Sequence, residues 1–168
     1  MTVSLFSFVD MYAKGLTTLH NILEKGRAFA ADKGIDEQEM LGWQLVDDMF
    51  PLWRQAQIVA IFGARWPLRA AALPDLVEQS GEMSFDELFA LIVQSRASLA
   101  ALTPAQFDGK GSEPFTMDLG LMKPEMPIEQ WVTGFATTNF YFHLSIAYAI
   151  LRQHGVPLGK IDLFAGGL

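Results

Sequence analysis

The chain has 168 residues and a net charge of −7, and 51% of its residues are hydrophobic while only 18% are charged. This length predicts a single domain over residues 1–168, long enough to bury a sizeable core. The lysines and arginines are scattered without a basic stripe, which argues against a nucleic-acid partner. The chain contains no cysteine, which excludes disulfides and cysteine-type zinc sites.

No stretch approaches the ~18 uninterrupted apolar residues of a membrane span, so no membrane association is predicted. The first ten residues, MTVSLFSFVD, lack the basic start of a secretory signal, and we expect a cytoplasmic location. An average domain has roughly 25% charged residues, so this chain has little charge to cover its surface. Some apolar faces are therefore expected to pack on a second subunit, as in a homodimer.

The first predicted helix runs from about Ser4 to Asp32, and Gly34 is a suitable stop signal. Its apolar residues recur in alternating steps of four and three, which is the spacing of a bundle seam and not of a strand. These residues are Leu5, Val9, Tyr12, Leu16, Leu19 and Leu23. A short helix is expected to follow around Glu37 to Gln44.

The second predicted helix begins at Pro51, because proline suits the first turn of a helix, where its missing N–H needs no partner. Pro67 and Pro74 mark a kink or an end of this helix. One of its faces carries Leu52, Gln55, Val59, Phe62 and Trp66.

The third predicted helix opens with Ser84-Phe-Asp-Glu87, which has the spacing of a capping box. Such a box satisfies two of the backbone N–H groups that the first turn of a helix leaves unpaired. The seam of this helix consists of Phe85, Leu88, Ile92, Ser95, Leu99 and Leu102.

The stretch from Phe107 to Met126 is rich in glycine and proline and has no helical period, which predicts a long connection between the third and fourth helices. A short extended piece is expected at Pro114 to Asp118. The fourth helix runs from about Pro127 to His154, with the seam Val132, Phe135, Asn139, Phe142, Ile146 and Ala149 or Ile150. Four long amphipathic helices without a convincing strand predict an all-α four-helix bundle with at least one crossing connection.

Polar side chains interrupt three of these seams. Gln55 lies on the second helix, Ser95 on the third and Asn139 on the fourth, with His143 one turn after Asn139. Buried polar groups need hydrogen-bond partners, so we expect a polar layer or a small polar pocket between the second and fourth helices. These side chains either satisfy one another and fix the helix register, or they line a pocket that binds a small molecule.

The histidines raise a metal site as an alternative. The chain has only three of them, His20, His143 and His154, and they form no HExxH or HxxxH pair. Asp48 would supply an oxygen ligand, but nothing in its spacing selects it. We therefore predict neither a bound metal nor a cofactor.

Two stretches of the chain carry a family resemblance. The run NFYFHLSIAYAILRQHGVPLGKID, which starts at Asn139, and the signature Asp48-Met-Phe-Pro51-Leu with Gln55 shortly after it resemble a bacterial family of the DinB-like superfamily. That family is known only as a domain of unknown function. The resemblance covers nearly the whole chain, and it implies a four-helix bundle and commonly a homodimer.

The same resemblance bears on metal chemistry. The superfamily includes metal-dependent thiol transferases, whose triad takes one histidine from the second helix and an HxxxH pair from the fourth. Here His143 matches one member of the pair, Ala147 stands in place of the other, and Gln55 falls near the second-helix position. Because an amide binds divalent metals weakly and alanine not at all, the metal chemistry does not carry over. The cavity is expected to persist, with Gln55, Asn139 and His143 as its polar lining.

Three functions are compatible with this pattern. The favoured one is a homodimer that binds a small molecule without metal, through Gln55, Asn139, His143, Ser95 and Asp48. The second is a transferase or hydrolase in which His143 acts as general base or metal ligand, oriented by Asn139 or Gln55. A carboxylate such as Asp48 within hydrogen-bond reach of His143 would favour it. The third is a dimerisation or interaction module without a ligand.

Overall fold

The computed structural model describes residues 4–167, so residues 1–3 and 168 of the predicted domain lie outside the described residues. The helices are α1 (Ser7–Lys33), α2 (Glu37–Leu41), α3 (Leu52–Ala70), α4 (Phe85–Ala100), α5 (Ile128–Gln130) and α6 (Thr137–Gln153). Two short 3-10 helices span Pro104–Phe107 and Lys160–Phe164, and a π-helical segment spans Trp131–Ala136. The all-α prediction is confirmed.

The long connection between α4 and α5 carries the only regular strands of the described chain. β1 (Pro114–Thr116) and β2 (Glu125–Pro127) pair antiparallel, with Phe115 opposite Met126. β1 falls within the extended piece that the sequence predicts. The hairpin lies over the end of the bundle, where Trp131 donates from Nε1 to the carbonyl oxygen of Phe115 at 2.8 Å. None of the helices within residues 4–167 combines the length and the hydropathy of a membrane-spanning segment.

Helix α3 lies at the centre of the bundle and packs against α1, α4 and α6. Its small buried residues permit this close approach, and they include Ala56, Ala60, Gly63 and Ala64. A Cβ atom built on Gly63 would lie 3.0 Å from the Phe140 ring and 3.1 Å from Leu16, so α1 and α6 both reach the backbone of α3 at this point. The absence of a side chain at Gly63 therefore allows the neighbouring helices to pack closely against α3.

Short-range features of the sequence determine where the predicted helices begin and end. The capping box of α4 is present, because the Ser84 hydroxyl accepts from the Glu87 N–H at 3.3 Å and the Glu87 carboxylate accepts from the Ser84 N–H at 2.8 Å. Gly34 ends α1 in the left-handed conformation at φ 66°. Pro67 lies inside α3, and the helix ends one turn later at Ala70, so Pro74 falls beyond its end.

The fourth predicted helix differs most from expectation. A π-helical turn needs about one residue more than an α-helical turn, so Trp131–Ala136 moves the following residues round the helix. Ala136 is buried where Phe135 was expected, and Phe140 is buried in place of Asn139. Further along, Phe142 is 50% exposed while Leu144 lies in the core. The predicted seam is therefore wrong from Phe135 to Ile146, whereas Val132 and Ile150 at its two ends lie in the core.

Hydrogen bonds hold the π-helical segment in place. The Thr137 hydroxyl donates to the carbonyl oxygen of Val132 at 2.7 Å, and the same hydroxyl lies 3.0 Å from the Tyr12 hydroxyl. Since Thr137 uses its proton on Val132, Tyr12 is the donor in the second bond. Burial is the main reason that the pKa of Tyr12 rises to about 12, so this donor stays protonated.

Candidate functional site

Gln55 on α3 and His143 on α6 meet across the bundle. The Nδ1 atom of His143 lies 2.6 Å from Oε1 of Gln55, and Nε2 of Gln55 donates to the carbonyl oxygen of Phe50 at 3.0 Å. Because Phe50 offers only an acceptor there, the amide must direct its NH₂ group to Phe50 and its oxygen to His143. The sequence left Gln55 open as one of several partners for His143, and the structure has this pair.

The bond to Gln55 selects one form of the His143 ring. An amide oxygen only accepts, so Nδ1 carries the proton and a neutral imidazole keeps a lone pair on Nε2. Within residues 4–167, no hydrogen bond engages that Nε2 atom. Partial burial lowers the pKa of His143 below its ordinary value, and the positive charge of Arg54 lowers it further. His143 is therefore a neutral acceptor at pH 7.

Two small cavities flank His143. The first, which we call the Asp48 cavity, has a volume of about 220 Å³ and is lined by Asp48, Met49, Phe50, Gln55, Phe142 and His143. The second, which we call the Arg54 cavity, has a volume of about 190 Å³ and is lined by Arg54, Ile58, Ile61, Phe62, Arg65, Glu78 and His143. Three of the predicted site residues, Asp48, Gln55 and His143, thus share one cavity.

Three charged side chains lie beside the apolar wall of the Arg54 cavity. The Glu78 carboxylate accepts from Nη1 of Arg54 and from Nη2 of Arg65, each at 3.0 Å. Partial burial raises the pKa of Glu78, but the hydrogen bonds from Arg65 and Arg54 outweigh it, and the pKa lies below its ordinary value. Glu78 is therefore ionised at pH 7, and the two guanidinium groups hold it.

Asn139 and Ser95 lie apart from these cavities. Asn139 is half-buried, and its Nδ2 atom donates to the carbonyl oxygen of Phe135 at 2.7 Å within its own helix. The π-helical turn explains this placement, because it turns Asn139 away from α3. Ser95 is fully buried on α4, and its hydroxyl has no hydrogen-bond partner in the part of the chain described. Neither residue lines the two cavities around His143.

The sequence analysis did not identify three residues of the site, which are Arg54, Arg65 and Glu78. Arg54 and Arg65 are eleven residues apart on α3, close to three full turns, so a helical projection places them on one face. That signal was available in the sequence. Glu78 lies in a stretch without regular structure, and no local pattern connects it with the two arginines.

The histidines do not converge. His20 lies 3.4 Å from the Glu24 carboxylate on α1, and the His154 ring stacks on Trp43 with 3.9 Å between centroids. Ala147, one turn after His143, is fully buried and offers no ligand atom. Over residues 4–167, no three His, Asp or Glu side chains lie close enough together to hold a metal ion. His143, Gln55 and Ala147 together do not supply the three ligands of the metal triad in the family that the sequence resembles.

Comparisons with known proteins agree with the fold. The family model described as the domain of unknown function DUF1993 matches residues 6–164. A solved structure of a DinB family member protein from Shewanella denitrificans is similar with a TM-score of 0.84 and 28% sequence identity, over 95% of this chain and 90% of that chain. No curated protein sequence matches this chain. The predicted DinB-like bundle and the predicted resemblance are confirmed.

We expect the bond between Gln55 and His143 to contribute to stability. Gln55→Leu should lower the free energy of unfolding by about 1–3 kcal/mol, because it leaves the His143 N–H and the Phe50 carbonyl without a partner. Asn139→Leu is the matched control, since it removes only a bond within one helix and should change stability by no more than ~0.5 kcal/mol. Urea unfolding followed by circular dichroism measures both. Equal effects of the two substitutions would contradict the cross-helix role of Gln55.

We also expect His143 to titrate below its ordinary pKa of 6.5 in a proton NMR titration of its ring. A lowered pKa means that the unfolded chain takes up this proton more readily. The stability contribution of neutral His143 is therefore complete above pH ~6.5 and is lost as the pH falls through the folded-state pKa.

Arg54→Gln should raise the pKa of His143 towards 6.5, because it removes the nearby positive charge. Arg69→Gln is the matched control, since the Arg69 guanidinium lies over Trp66 and Phe115 and not in the His143 cavities. A normal pKa in the unmodified protein, or an equal response to both substitutions, would refute this account of His143.

Proposed function

This chain belongs to the DUF1993 family of DinB-like helical domains, and we propose that it binds a small polar molecule at His143 without a metal ion. One observation carries the proposal: a neutral histidine, fixed by Gln55 through Nδ1, keeps a free acceptor next to two cavities. Ligand sites commonly combine an apolar wall with a few placed polar groups, and the cavities beside His143 have this composition.

The size of the cavities limits the ligand. Volumes of about 220 and 190 Å³ are below the roughly 300–1,000 Å³ of pockets that hold drug-sized molecules. A small metabolite that donates a hydrogen bond to Nε2 of His143 fits this space. A nucleotide or a long acyl chain does not.

The proposal leaves out a metal because the donors do not suit one. Gln55 already uses its oxygen to accept from His143, and a neutral amide is a weak ligand for divalent metals. Ala147 has no donor atom at the position where the resemblance places a second histidine. His143 would therefore bind a metal alone, which is less than the roughly three protein ligands of a catalytic zinc site.

A second candidate is an enzyme in which His143 is the general base. The lowered pKa and the free Nε2 atom favour this role, because a neutral imidazole accepts protons near pH 7. The orienting group is the Gln55 amide. Among the described residues, no hydrogen bond joins Asp48 or Glu78 to His143, so no carboxylate stabilises the imidazolium that a base forms. Binding is therefore the better-supported function.

His143→Asn separates binding from folding. The asparagine amide keeps a donor for Gln55 but lacks the Nε2 acceptor. In a proton–nitrogen NMR screen of small alcohols, amides and acids, we expect hits that shift the His143 ring signals. These hits should bind at least ten-fold more weakly to His143→Asn, which should melt close to the unmodified protein. His20→Asn is the control, and a screen without hits at His143 would refute the proposal.

We further propose that the chain forms a homodimer through the groove between α1 and α4. This groove has a volume of about 640 Å³ and a largely apolar lining that includes Phe6, Val9 and Val93. Asp10 and Arg96 carry opposite charges in the same groove, so two copies related by a twofold axis can pair them across the interface. An apolar groove of this size is typical of an interaction surface.

The cytoplasmic location and the absence of a nucleic-acid partner remain predictions of the sequence.

Light scattering after size-exclusion chromatography tests the homodimer. We expect the mass of two chains for the unmodified protein and of one chain for Val93→Glu, because a charge on this 59% exposed valine opposes burial of the groove. Val77→Glu is the matched control, since Val77 is 86% exposed outside the groove. A monomeric unmodified protein, or a dimer that survives Val93→Glu, would rule out this interface.

A further inference from the structure

The Arg54 cavity contains a pair of arginines that converge on one carboxylate. Arg54 and Arg65 each donate to a different oxygen of Glu78 at 3.0 Å. Two guanidinium groups on the two oxygens of a carboxylate form a strong and geometrically specific arrangement, because the donors match the acceptor lone pairs. The cavity thus has the donor set of a receptor for a carboxylate.

The arginines are held by contacts other than Glu78. Arg54 also donates to the fully buried Gln57 and lies over the ring of Phe50 at 5.8 Å. Arg65 lies over the ring of Phe62 at 5.9 Å, and its side chain is only 15% exposed. Both side chains extend from the rigid central helix α3. They would remain in place if Glu78 left, which makes them a preorganised site.

Glu78 is held less firmly than the arginines. It lies between α3 and α4 in residues 71–83, which form no helix or strand, and its backbone neighbours are exposed. Close to it, the carbonyl oxygen of Gln79 accepts from Nε2 of Gln57 at 2.9 Å, and Leu76 is half-buried. Asp75 anchors the start of the segment, because its carboxylate accepts from Nη2 of Arg69 at 2.6 Å. Few buried contacts hold the residues that follow it, so local opening around Glu78 costs less than unfolding of the bundle.

We propose that Arg54 and Arg65 form a binding site for a small carboxylic acid, in which Glu78 occupies the carboxylate position until the acid displaces it. The inference rests on the proposed function, because His143 lines the same cavity and would bind the other end of the acid through Nε2. That end is a hydroxyl or amide N–H, since a neutral imidazole nitrogen accepts a hydrogen bond. A cavity of about 190 Å³ equals roughly six water volumes, which fits a short hydroxy acid.

Charge supports an acid over a neutral ligand. With Glu78 displaced, the cavity lining contains two positive arginines and a neutral histidine, in a chain whose net charge is −7. The Asp75 carboxylate lies 3.5 Å from Nε of Arg65, but its own charge is balanced by Arg69 at 2.6 Å. An anion therefore gains from the local field, although the protein as a whole repels it. The displaced Glu78 becomes solvated, so no charge remains buried without a partner.

Isothermal titration calorimetry of the 168-residue chain with lactate tests this site, with lactamide as the uncharged analogue. Glu78→Gln removes the charge of the internal competitor, so we expect lactate to bind at least ten-fold more tightly than to the unmodified protein. Lactamide lacks the carboxylate, so its affinity should be at least ten-fold lower than that of lactate on Glu78→Gln and should not rise on that substitution. Adding Arg65→Gln to Glu78→Gln should abolish lactate binding, and circular dichroism checks that each variant is folded.

Glu82→Gln is the matched control, because it makes the same charge change before α4 at a residue outside the Arg54 cavity. Its affinity for lactate should equal that of the unmodified protein. Glu78→Ala is a second variant that opens the site, and it replaces Glu78→Gln if the latter does not fold. Failure of both Glu78 variants to bind lactate more tightly overturns the carboxylate site.

The proposed function and the carboxylate site fail in different ways. Neutral fragments that shift the His143 ring, together with unchanged lactate affinity on Glu78→Gln, support binding at His143 and reject the carboxylate site. Lactate binding that survives His143→Asn but not Arg65→Gln supports the arginine pair and rejects the role of His143. Inorganic phosphate that binds Glu78→Gln more tightly than lactate does would overturn the assignment to a carboxylic acid.

Discussion

The ring of Phe140 fills the space that the missing side chains of Gly15 and Gly63 leave at the centre of the bundle. A Cβ atom on Gly15 would lie 2.4 Å from Cε1 of Phe140, so the Phe140 ring of α6 packs directly against the backbone of α1. Phe140 is one turn before His143, and Gly63 is about two turns after Gln55. This contact therefore sets the separation of α3 and α6 at which Gln55 reaches His143. The cavities beside His143 depend on the same spacing.

Much of the fold could be predicted from the sequence because its determinants are local. The capping box at Ser84 and the seam of the first helix use residues within a few turns of one another. The predicted placement of Asn139 in the buried seam was wrong because of the extra residue in the π-helical turn. That turn is stabilised by Tyr12, which is far away in the sequence. The pairing of Gln55 with His143 was within reach, since only a few polar side chains interrupt the seams. Glu78 was not, because its partners follow from how an irregular segment folds back on α3.

Under the proposed function, the amide of Gln55 takes the place of a metal ligand beside His143. A histidine or carboxylate near this position would share an ion with His143, whereas the amide bonds the ring directly and fixes its proton on Nδ1. In the proposed site, the lone pair on Nε2 accepts a hydrogen bond from the ligand, where in a metal site it would coordinate an ion. The same helices can therefore support either chemistry, depending on the side chain at this position.

The extra residue in the π-helical segment Trp131–Ala136 determines which side chains of the following helix face the site. A one-residue insertion in a helix rotates everything on one side of it by about 100° relative to the other side. The hairpin lies before the segment, and Phe140 and His143 lie after it. Relatives that lack the extra residue would present a different face of the same helix to α3, even with every side chain conserved. Alignments of this family should therefore be anchored separately on the two sides of the segment.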